Sequence, residues 1–262
     1  MQILTTICGR AGSKGLAGKN ARDFLGFPIL FYSLSAYSLF LECFGDRYGS
    51  FDFALNTDSD ELIRQFGCTS IEGEVVNRKE SLAGDRVSKI DVIRDTLFEM
   101  EKKSKKIYDL VVDIDLTSPL RRAVDFKNLL DAAVENKDAD ITLSLTDSRR
   151  SPYFNQLIKG EDGFYKTAIK SDFIARQQVP EVFDANASLY AYRPWYLKNA
   201  DGIFLNAKLA ASFMLDTAVL DIDCERDFEL MQVIAEYLFE SDSEFCEVRD
   251  NIKHITLCED KK

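Results

Sequence analysis

Residues 3–20 of the chain, ILTTICGRAGSKGLAGKN, join a run of apolar and β-branched residues to a loop rich in glycine and cations. Ile3–Ile7 has the composition of a buried β-strand. Glycine lets the loop turn tightly and present successive N–H groups to an anion. The stretch therefore predicts a strand that ends in a polyphosphate-binding loop. Its glycines and cations, with one arginine just beyond, are Gly9, Gly12, Gly15, Gly18, Arg10, Lys14, Lys19 and Arg22.

Two common phosphate-binding motifs do not describe this loop. A Walker A loop needs a glycine where Ser13 stands and a hydroxyl residue where Asn20 stands. A dinucleotide-binding loop needs a glycine spacing that Gly9, Gly12 and Gly15 do not have. The alternative interpretation is a basic surface loop that only ties a strand to a helix. The density of glycines and cations favours the phosphate site.

Strand and helix patterns alternate over the rest of the chain. Apolar and β-branched runs predict strands at Ile3–Ile7, Phe51–Leu55, Glu74–Val76, Leu110–Ile114, Ile141–Leu145, Ala187–Tyr192 and Val219–Ile222. Helical spacing predicts helices at Ile29–Leu41, about 59–66, Ser88–Lys103, Ala123–Val134 and Glu225–Leu238. This order predicts an α/β fold with a Rossmann-like, doubly wound, mainly parallel sheet. Ligands of such sheets bind beyond the carboxyl ends of the strands.

The regular pattern loosens between Ser148 and Phe183. Polar runs, two glycines and short alternating segments predict an inserted hairpin arm there. No internal repeat or low-complexity linker divides the chain. We therefore expect a single domain over residues 1–262, with the arm at about residues 148–184.

Composition and charge exclude several classes of protein. The 262 residues are 46% hydrophobic and 29% charged, which is an ordinary globular composition. The formal net charge of -11 makes broad binding to nucleic acid or to an anionic membrane unfavourable, so a phosphate ligand needs a local basic site. His254 is the only histidine, which excludes a multi-histidine metal site. We expect it at the surface or on an edge strand.

The cysteines and the N-terminus indicate the compartment. Six scattered cysteines without a C-x-x-C pair predict reduced thiols rather than a disulfide framework. The first residues lack the features of a secretory signal. Phe24–Leu41 carries no charge, but its proline, glycine, serines and tyrosines favour a buried helix over a membrane span. We expect a soluble, cytoplasmic protein.

Several short motifs occur along the chain: Arg10 with Ser13-Lys14-Gly15, Gly18-Lys19-Asn20, Asn56-Thr57-Asp58, Arg78 with Ser81-Leu82-Ala83, Thr117-Ser118-Pro119-Leu120-Arg121, Ala175-Arg176-Gln177-Gln178-Val179-Pro180, Asn186-Ala187-Ser188-Leu189-Tyr190 and Asp221-Ile222-Asp223. In content and order they resemble the motifs of one enzyme family, the acylneuraminate cytidylyltransferases or CMP-sialic acid synthetases. Further features resemble the branch that activates bacterial nonulosonic acids such as legionaminic acid: Asp115, Arg150–Asn155 and Asp184–Asn186.

The resemblance implies CTP-dependent activation of a nine-carbon sugar acid, in which the anomeric hydroxyl attacks the α-phosphate and pyrophosphate leaves. Such a transfer needs in-line positioning and charge neutralisation more than a strong base. The catalytic residues implied around the phosphates are Lys19, Arg10, Ser13 and Lys14. The implied nucleotide-binding residues are Cys8 and Gly9, whose backbone groups would line the cytosine pocket, with Arg10, Asn20, Arg78 and Ser88.

Asp221 and Asp223 flank Ile222, so in a strand both carboxylates would lie on one side. Mg²⁺ accepts one or two carboxylates together with phosphate oxygens and water. The alternative interpretation is an exposed acidic strand end in a chain with 44 acidic residues. The family resemblance favours a magnesium site.

For the acceptor, the resemblance implies Asp115, Thr117, Arg176 and Asn186. Arg176 suits bidentate recognition of the sugar's carboxylate, and a structural ion pair within the arm is an equal alternative. Asp115 stands where sialic acid enzymes commonly have glutamine, and we expect it to join the metal cluster or to contact the sugar's substituents. The arm matches the region through which the family dimerises, which implies a homodimer whose arms reach the partner's site.

Two other functions stay open. One is nucleotidylyl transfer to another acceptor, such as an eight-carbon Kdo-type acid or a sugar 1-phosphate, although the Kdo enzymes typically lack this opening loop. The other is a nucleotide-binding domain without turnover. Retention of Lys19, Arg10, Asp221 and Asp223 together speaks against that reading.

Overall fold

The computed structural model describes residues 1–12, 15–16, 18–84, 86–199, 206–217 and 221–257. Its strands are β1 (Gln2–Gly9), β2 (Asp23–Phe24), β3 (Phe27–Pro28), β4 (Ser50–Thr57), β5 (Glu74–Asn77), β6 (Leu110–Ile114), β7 (Ile141–Asp147), β8 (Leu157–Lys159), β9 (Tyr165–Thr167), β10 (Phe183–Tyr192) and β11 (Leu209–Phe213). Its helices are α1 (Ile29–Phe44), α2 (Asp60–Gly67), α3 (Lys89–Ser104), α4 (Ala123–Glu135), α5 (Pro194–Asn199), α6 (Glu225–Ser241) and α7 (Ser243–Ile255).

The central sheet has seven strands in the order β11-β7-β10-β6-β1-β4-β5. β1 pairs in parallel with β4 and β6, β4 pairs in parallel with β5, and β7 pairs in parallel with β11. Among the described strands of this sheet, only β10 runs antiparallel to its neighbours, β6 and β7. The prediction of a mainly parallel α/β sheet is confirmed. The carboxyl ends of β1, β4, β5 and β6 consequently meet at one edge.

Both faces of the sheet are covered by helices, as β1 shows. Ile3 and Ile7 belong to the larger buried cluster, which includes side chains of α1, α4, α6 and α7. Leu4 points to the opposite face and belongs to the cluster built with α3. Successive side chains of a strand alternate between faces, so a run of apolar residues buries both sides at once. The result is a three-layer, doubly wound arrangement.

The C-terminal part differs from the sequence prediction at Val219–Ile222. Residues 218–220 lie outside the described residues, and the chain bends at Asp221 and is irregular through Asp223. The strand prediction is therefore wrong for the described residues of this segment. The physical reason is that the Ile222 N–H donates to the carbonyl oxygen of Thr117 (2.9 Å), a loop residue, instead of joining a strand ladder. The position at the sheet edge beside β7 belongs to β11.

The helix α7 is a second difference, because the sequence analysis does not predict it. The side chain of Asp242 caps its first turn by accepting hydrogen bonds from the N–H groups of Glu244 (2.9 Å) and Phe245 (3.4 Å). His254 lies exposed in this helix. The expected surface position is confirmed, and the edge-strand alternative is wrong.

The segment between β7 and β10 leaves the sheet as an arm. Its strands β8 and β9 pair as an antiparallel hairpin. Several apolar side chains of the arm are exposed, and Phe164 and Ile174 are 76% and 91% exposed. The single-domain organisation stays a prediction. None of the helices in the described ranges is both long and apolar enough to cross a membrane.

Candidate active site

Seven of the residues expected at the site line one cavity of about 270 Å³ at the carboxyl ends of β1, β5 and β6. We call it the loop cavity. Cavities of about 540 and 790 Å³ lie elsewhere, and their described walls contain none of the expected residues. The loop cavity is therefore the place where the chemistry-bearing side chains gather, and among them are Cys8, Arg10, Lys19, Asn20, Arg78, Asp115 and Thr117.

Hydrogen bonds hold the glycine-rich loop against the end of the sheet. The Asn20 side-chain amide donates to the Arg10 carbonyl oxygen (3.1 Å), and the Ala11 N–H donates to Asp58 Oδ1 (2.8 Å). A Cβ at Gly9 would stand 2.6 Å from a leucine side chain of α2, so that position has room only for hydrogen. These contacts fix the direction in which the loop leaves β1.

Lys19 links the loop to the aspartate couple. Its Nζ donates to the Ile222 carbonyl oxygen (2.7 Å) and to Asp223 Oδ1 (3.1 Å). A Cβ at Gly15 would stand only 2.2 Å from the Asp223 carbonyl oxygen, so glycine is needed for this close approach. The cationic loop and the aspartates, far apart in sequence, therefore meet at one site.

A buried asparagine fixes Arg78 in the wall of the loop cavity. Arg78 Nε donates to Asn56 Oδ1 (2.9 Å), and its Nη2 donates to the Asn56 carbonyl oxygen (3.2 Å). Asn56 is fully buried and donates to the Thr96 hydroxyl (2.9 Å). This support restricts the guanidinium to one orientation, which suits recognition of an anion.

Lys89, the first residue of α3, places an ammonium between two carboxylates at the end of β6. Its Nζ lies 2.7 Å from Asp113 Oδ2 and 2.6 Å from Asp115 Oδ2. Thr117 holds the other oxygen of Asp115 through its N–H (2.9 Å) and its hydroxyl (2.7 Å). The Thr6 hydroxyl donates to Asp113 Oδ1 (2.8 Å). Asp115 is therefore held on both oxygens.

Charge and burial set the protonation of this group. Burial would raise the pKa of Asp115, but Lys89 and the hydrogen bonds from Thr117 outweigh burial and lower the pKa to about 2. Burial raises the pKa of Asp113, and Lys89 opposes that shift. Burial opposes the charge of Lys89, yet the two carboxylates raise its pKa well above the ordinary value. At neutral pH Lys89 is charged and Asp115 is ionised.

The sequence analysis missed Lys89 and Asp113. A signal for Asp113 was present, because a carboxylate within the apolar run of β6 must find a partner when the strand is buried. Nothing in the sequence identifies Lys89 as that partner, since the two residues are distant along the chain and meet only through packing of α3 on the sheet.

A second cavity of about 230 Å³ adjoins the first, and Lys89 and Asp115 belong to the walls of both. We call it the tyrosine cavity, after Tyr190 and Tyr192 of β10. Ser88, expected near the nucleotide, lines this second cavity. Its hydroxyl caps α3 by accepting a hydrogen bond from a backbone N–H (3.3 Å).

Five expected residues in the described part of the chain line neither cavity: Gly9, Arg176, Asn186, Asp221 and Asp223. Asn186 is buried, and its Oδ1 accepts hydrogen bonds from the Ser144 hydroxyl and from a backbone N–H of β10. Arg176 is exposed in a short turn of the arm. Ser13 and Lys14 lie outside the described residues.

Asp221 and Asp223 are the residues suited to a cation. Burial, followed by the carboxylates of Asp223 and Asp115, raises the pKa of Asp221, so negative charge accumulates here. Within the described ranges, no group of three or more His, Cys, Asp or Glu side chains is arranged to hold a metal ion by itself. The donor set fits an ion such as Mg²⁺, which completes its shell with phosphate oxygens and water.

The sequence profile of the cytidylyltransferase family matches residues 5–251. The chain therefore belongs to the cytidylyltransferase family and is a nucleotidyltransferase. The resemblance drawn from the short motifs is confirmed.

The chain is similar over most of its length to two named relatives. It is 32% identical over 238 residues to the post-translational flagellin modification protein B of Campylobacter coli, covering 89% of this chain and 94% of the relative. It is 30% identical, with the same coverage, to the CMP-N,N'-diacetyllegionaminic acid synthase of Campylobacter jejuni. The solved structure of a CMP:2-keto-3-deoxy-manno-octonic acid synthetase complexed with CTP superposes with a TM-score of 0.64 at 14% identity, covering 90% of this chain and 99% of that one. This last likeness confirms the fold.

Proposed function

We propose that this enzyme uses CTP to activate a nonulosonic acid of the sialic or legionaminic type. The anomeric hydroxyl oxygen bonds to the α-phosphorus, its proton is released, and the bond to the β-phosphate breaks, which gives the CMP-sugar and pyrophosphate. The relative named as a CMP-N,N'-diacetyllegionaminic acid synthase supports this acceptor class. The observation that carries the proposal is the contact of Lys19 with Asp223 beside a cavity that also holds Arg10 and Arg78.

In this proposal the loop cavity takes CTP. Lys19, Arg10 and Arg78 supply positive charge for the triphosphate, and Lys14 and Ser13 are expected to add to it. An ammonium has three N–H donors, so Lys19 retains one beyond its two contacts for the leaving pyrophosphate. Cys8, Gly9 and Asn20 remain the residues proposed for the nucleoside part, and Ser88, which lines the tyrosine cavity, would act where the nucleotide meets the acceptor.

The proposal includes Mg²⁺ at Asp221 and Asp223. The accumulation of negative charge around Asp221 supports this assignment. When bound, the ion would neutralise charge on the triphosphate. Calorimetric titration of MgCl₂ into the protein with a non-hydrolysable CTP analogue tests it, because Asp223→Asn should weaken the magnesium-dependent part of the binding.

We place the acceptor in the tyrosine cavity, with Asp115 and Thr117 at its junction with the loop cavity. Adjoining cavities suit a reaction that needs its two substrates side by side and in line. Asn186 supports this region from within β10 and does not line the described cavities, so we propose an indirect role for it.

We further propose a homodimer in which the arm of one protomer reaches its partner's site. Exposed apolar side chains on the arm, such as Phe164 and Ile174, support this proposal. Arg176, two residues after Ile174, would then meet the carboxylate of the acceptor from across the dimer. The cysteines of the described residues are free thiols, which supports a cytoplasmic location.

Pyrophosphate release tests the function. Purified protein, CTP and MgCl₂ are mixed with N,N'-diacetyllegionaminic acid, N-acetylneuraminic acid, a Kdo-type acid or no acceptor. Release with a nine-carbon acid only supports the proposal. Release with the Kdo-type acid alone supports the eight-carbon alternative, and CTP binding without release in any mixture supports a non-catalytic domain.

A further inference from the structure

Lys89 has no role in the reaction as proposed so far, although it stands where the two cavities meet. Its side chain is 35% exposed, while the carboxylates it contacts belong to Asp113, which is fully buried, and Asp115, which is 20% exposed. An ammonium that contacts two such carboxylates at once restricts the orientation of both. Its restraint on Asp115, which lines both cavities with it, is one way in which Lys89 can act on a ligand.

The contacts of Asp115 leave its carboxylate able to act on a ligand only as a hydrogen-bond acceptor. Oδ1 accepts two hydrogen bonds from Thr117, and Oδ2 faces Lys89 at 2.6 Å. Each carboxylate oxygen has two lone pairs, so acceptor capacity remains only on Oδ2. The side chain can accept one further hydrogen bond, and its direction is fixed before any ligand arrives.

The charge of the group limits what that ligand can offer. Lys89 is shared between two carboxylates, and Arg121, the other cation near them, is fully buried and donates to hydroxyl and carbonyl oxygens. The free acceptor position on Oδ2 of Asp115 is therefore negative. An anionic group of the acceptor would be repelled there. A neutral hydroxyl or amide N–H would be attracted as a hydrogen-bond donor.

We propose that Lys89 is a positioning residue of the acceptor site, which holds the carboxylate of Asp115 in the direction that accepts a hydrogen bond from a neutral hydroxyl or amide N–H of the sugar acid. This inference rests on the proposed function. It assigns the recognition of the acceptor's carboxylate to a different place in the site.

Loss of the ammonium should change how Asp115 titrates. Asp113 and Asp115 would then face each other without a cation, and such a pair shares a proton as the pH falls. The neighbouring titratable groups are unsuited to mimic this effect: burial raises the pKa of Cys8, Tyr190 and Tyr192, and it lowers the pKa of Arg121 only to about 10. Asp221 also titrates nearby, and it is present in every variant compared below.

The experiment compares Lys89→Met, Lys89→Arg, Asp115→Asn and the double variant Lys89→Met with Asp115→Asn. The matched control is Lys198→Met, because the Lys198 side chain is 33% exposed and pairs with Glu101 near the carboxyl end of α3, whereas Lys89 is the first residue of that helix. The measurements are KM for N,N'-diacetyllegionaminic acid and KM for CTP, each between about pH 5.5 and 8. Thermal unfolding verifies that each variant is folded, and Lys89→Gln replaces Lys89→Met if that variant does not fold.

We expect Lys89→Met to raise the acceptor KM about tenfold and to change the CTP KM less than about twofold. The acceptor KM of the unsubstituted enzyme should not depend on Asp115 titration, whereas that of Lys89→Met should rise as the pH falls. Lys89→Arg keeps the charge and should recover most of the affinity. The two single substitutions should be non-additive, because Lys89 acts through Asp115.

Additive effects of the two substitutions, or an equal rise of both KM values, would overturn the role of Lys89 and leave the proposed function standing. A pH-independent acceptor KM in Lys89→Met would also overturn it. If the unsubstituted enzyme releases no pyrophosphate with any nonulosonic acid, the proposed function fails and this role fails with it.

Discussion

The ammonium of Lys19 combines two contacts to the aspartate segment with a place in the wall of the loop cavity. A positive charge there stabilises the negative charge that develops on a leaving pyrophosphate. We expect Lys19→Ala to lower kcat more than about tenfold, measured by pyrophosphate release at saturating CTP and acceptor. Lys198→Met serves as the control and should retain full turnover. Unchanged kcat in Lys19→Ala would mean that the loop has another task.

Asp221, which we propose as a magnesium ligand, carries a charge that reduces the stability of the fold. Its pKa in the folded chain is raised, so its ionised form destabilises the fold at neutral pH, and this effect disappears as acid protonates it. We expect Asp221→Asn to raise the thermal midpoint at pH 7 without MgCl₂ and CTP, and to reduce turnover. This increase in the thermal midpoint should become smaller as the pH is lowered toward about 3. Asp223→Asn is the matched comparison: it removes a repulsive neighbour of Asp221 but also the charge that pairs with Lys19, so its gain should be smaller.

Residue identities within motifs were predictable, but their surroundings were not. Arg121 belongs to a motif shared with the family, and the structure shows a fully buried guanidinium. It donates to the hydroxyls of Ser33 (2.6 Å) and Ser188 (3.1 Å) and to the carbonyl oxygen of Asp115 (2.6 Å). Such a side chain joins α1, β10 and the end of β6. The sequence contains no sign of this, because Ser33 and Ser188 are distant from Arg121 along the chain.

For strands and helices, the local sequence pattern was sufficient to predict the element wherever that pattern was strong. β1, β4 and β6 are short apolar runs buried on both faces, and α3 has regular helical spacing behind a serine cap. β11, with sequence LAASF, has weak strand character of its own. It forms because it pairs with β7, and the Lys208 carbonyl oxygen before it accepts a hydrogen bond from the Asp140 N–H (2.9 Å).

The alternating pattern at Asp221–Asp223 shows the opposite error. Acid, isoleucine, acid satisfies the spacing of a strand, yet the segment is irregular. Ile222 is nevertheless buried. Contacts with Lys19 and Thr117 override the local preference, and such contacts are visible only after the fold has brought distant segments together.

The helix α7 offers a test at the same scale. Apolar residues at Phe245, Val248, Ile252 and Ile255 follow helical spacing, and all four are buried. Removing the capping carboxylate with Asp242→Ala should lower the free energy of unfolding by about 1 kcal/mol. Urea denaturation measures the change, while KM for CTP should stay the same. Asp242→Asn keeps a capping oxygen and should lower the free energy of unfolding much less.

The protein has a net charge of -11, and its arm carries exposed apolar side chains such as Phe164 and Ile174. If the arm forms the proposed dimer contact, Ile174→Glu should convert a dimer into a monomer, because a charge cannot be buried without a partner at that interface. Light scattering after size exclusion measures the mass. Ile107→Glu is the matched control, since Ile107 is 78% exposed outside the arm, and its mass should equal that of the unsubstituted protein. A monomer before any substitution would contradict the proposal directly.

The wall that the loop cavity shares with the tyrosine cavity has an energetic consequence. If CTP binds in the loop cavity and the sugar in the tyrosine cavity, as proposed, the two substrates lie on opposite sides of a wall that contains Lys89 and Asp115. Occupancy of one cavity is then expected to alter the affinity of the other. Thermodynamic reciprocity requires equal factors in both directions, so cooperativity measured with one substrate fixes its value for the other.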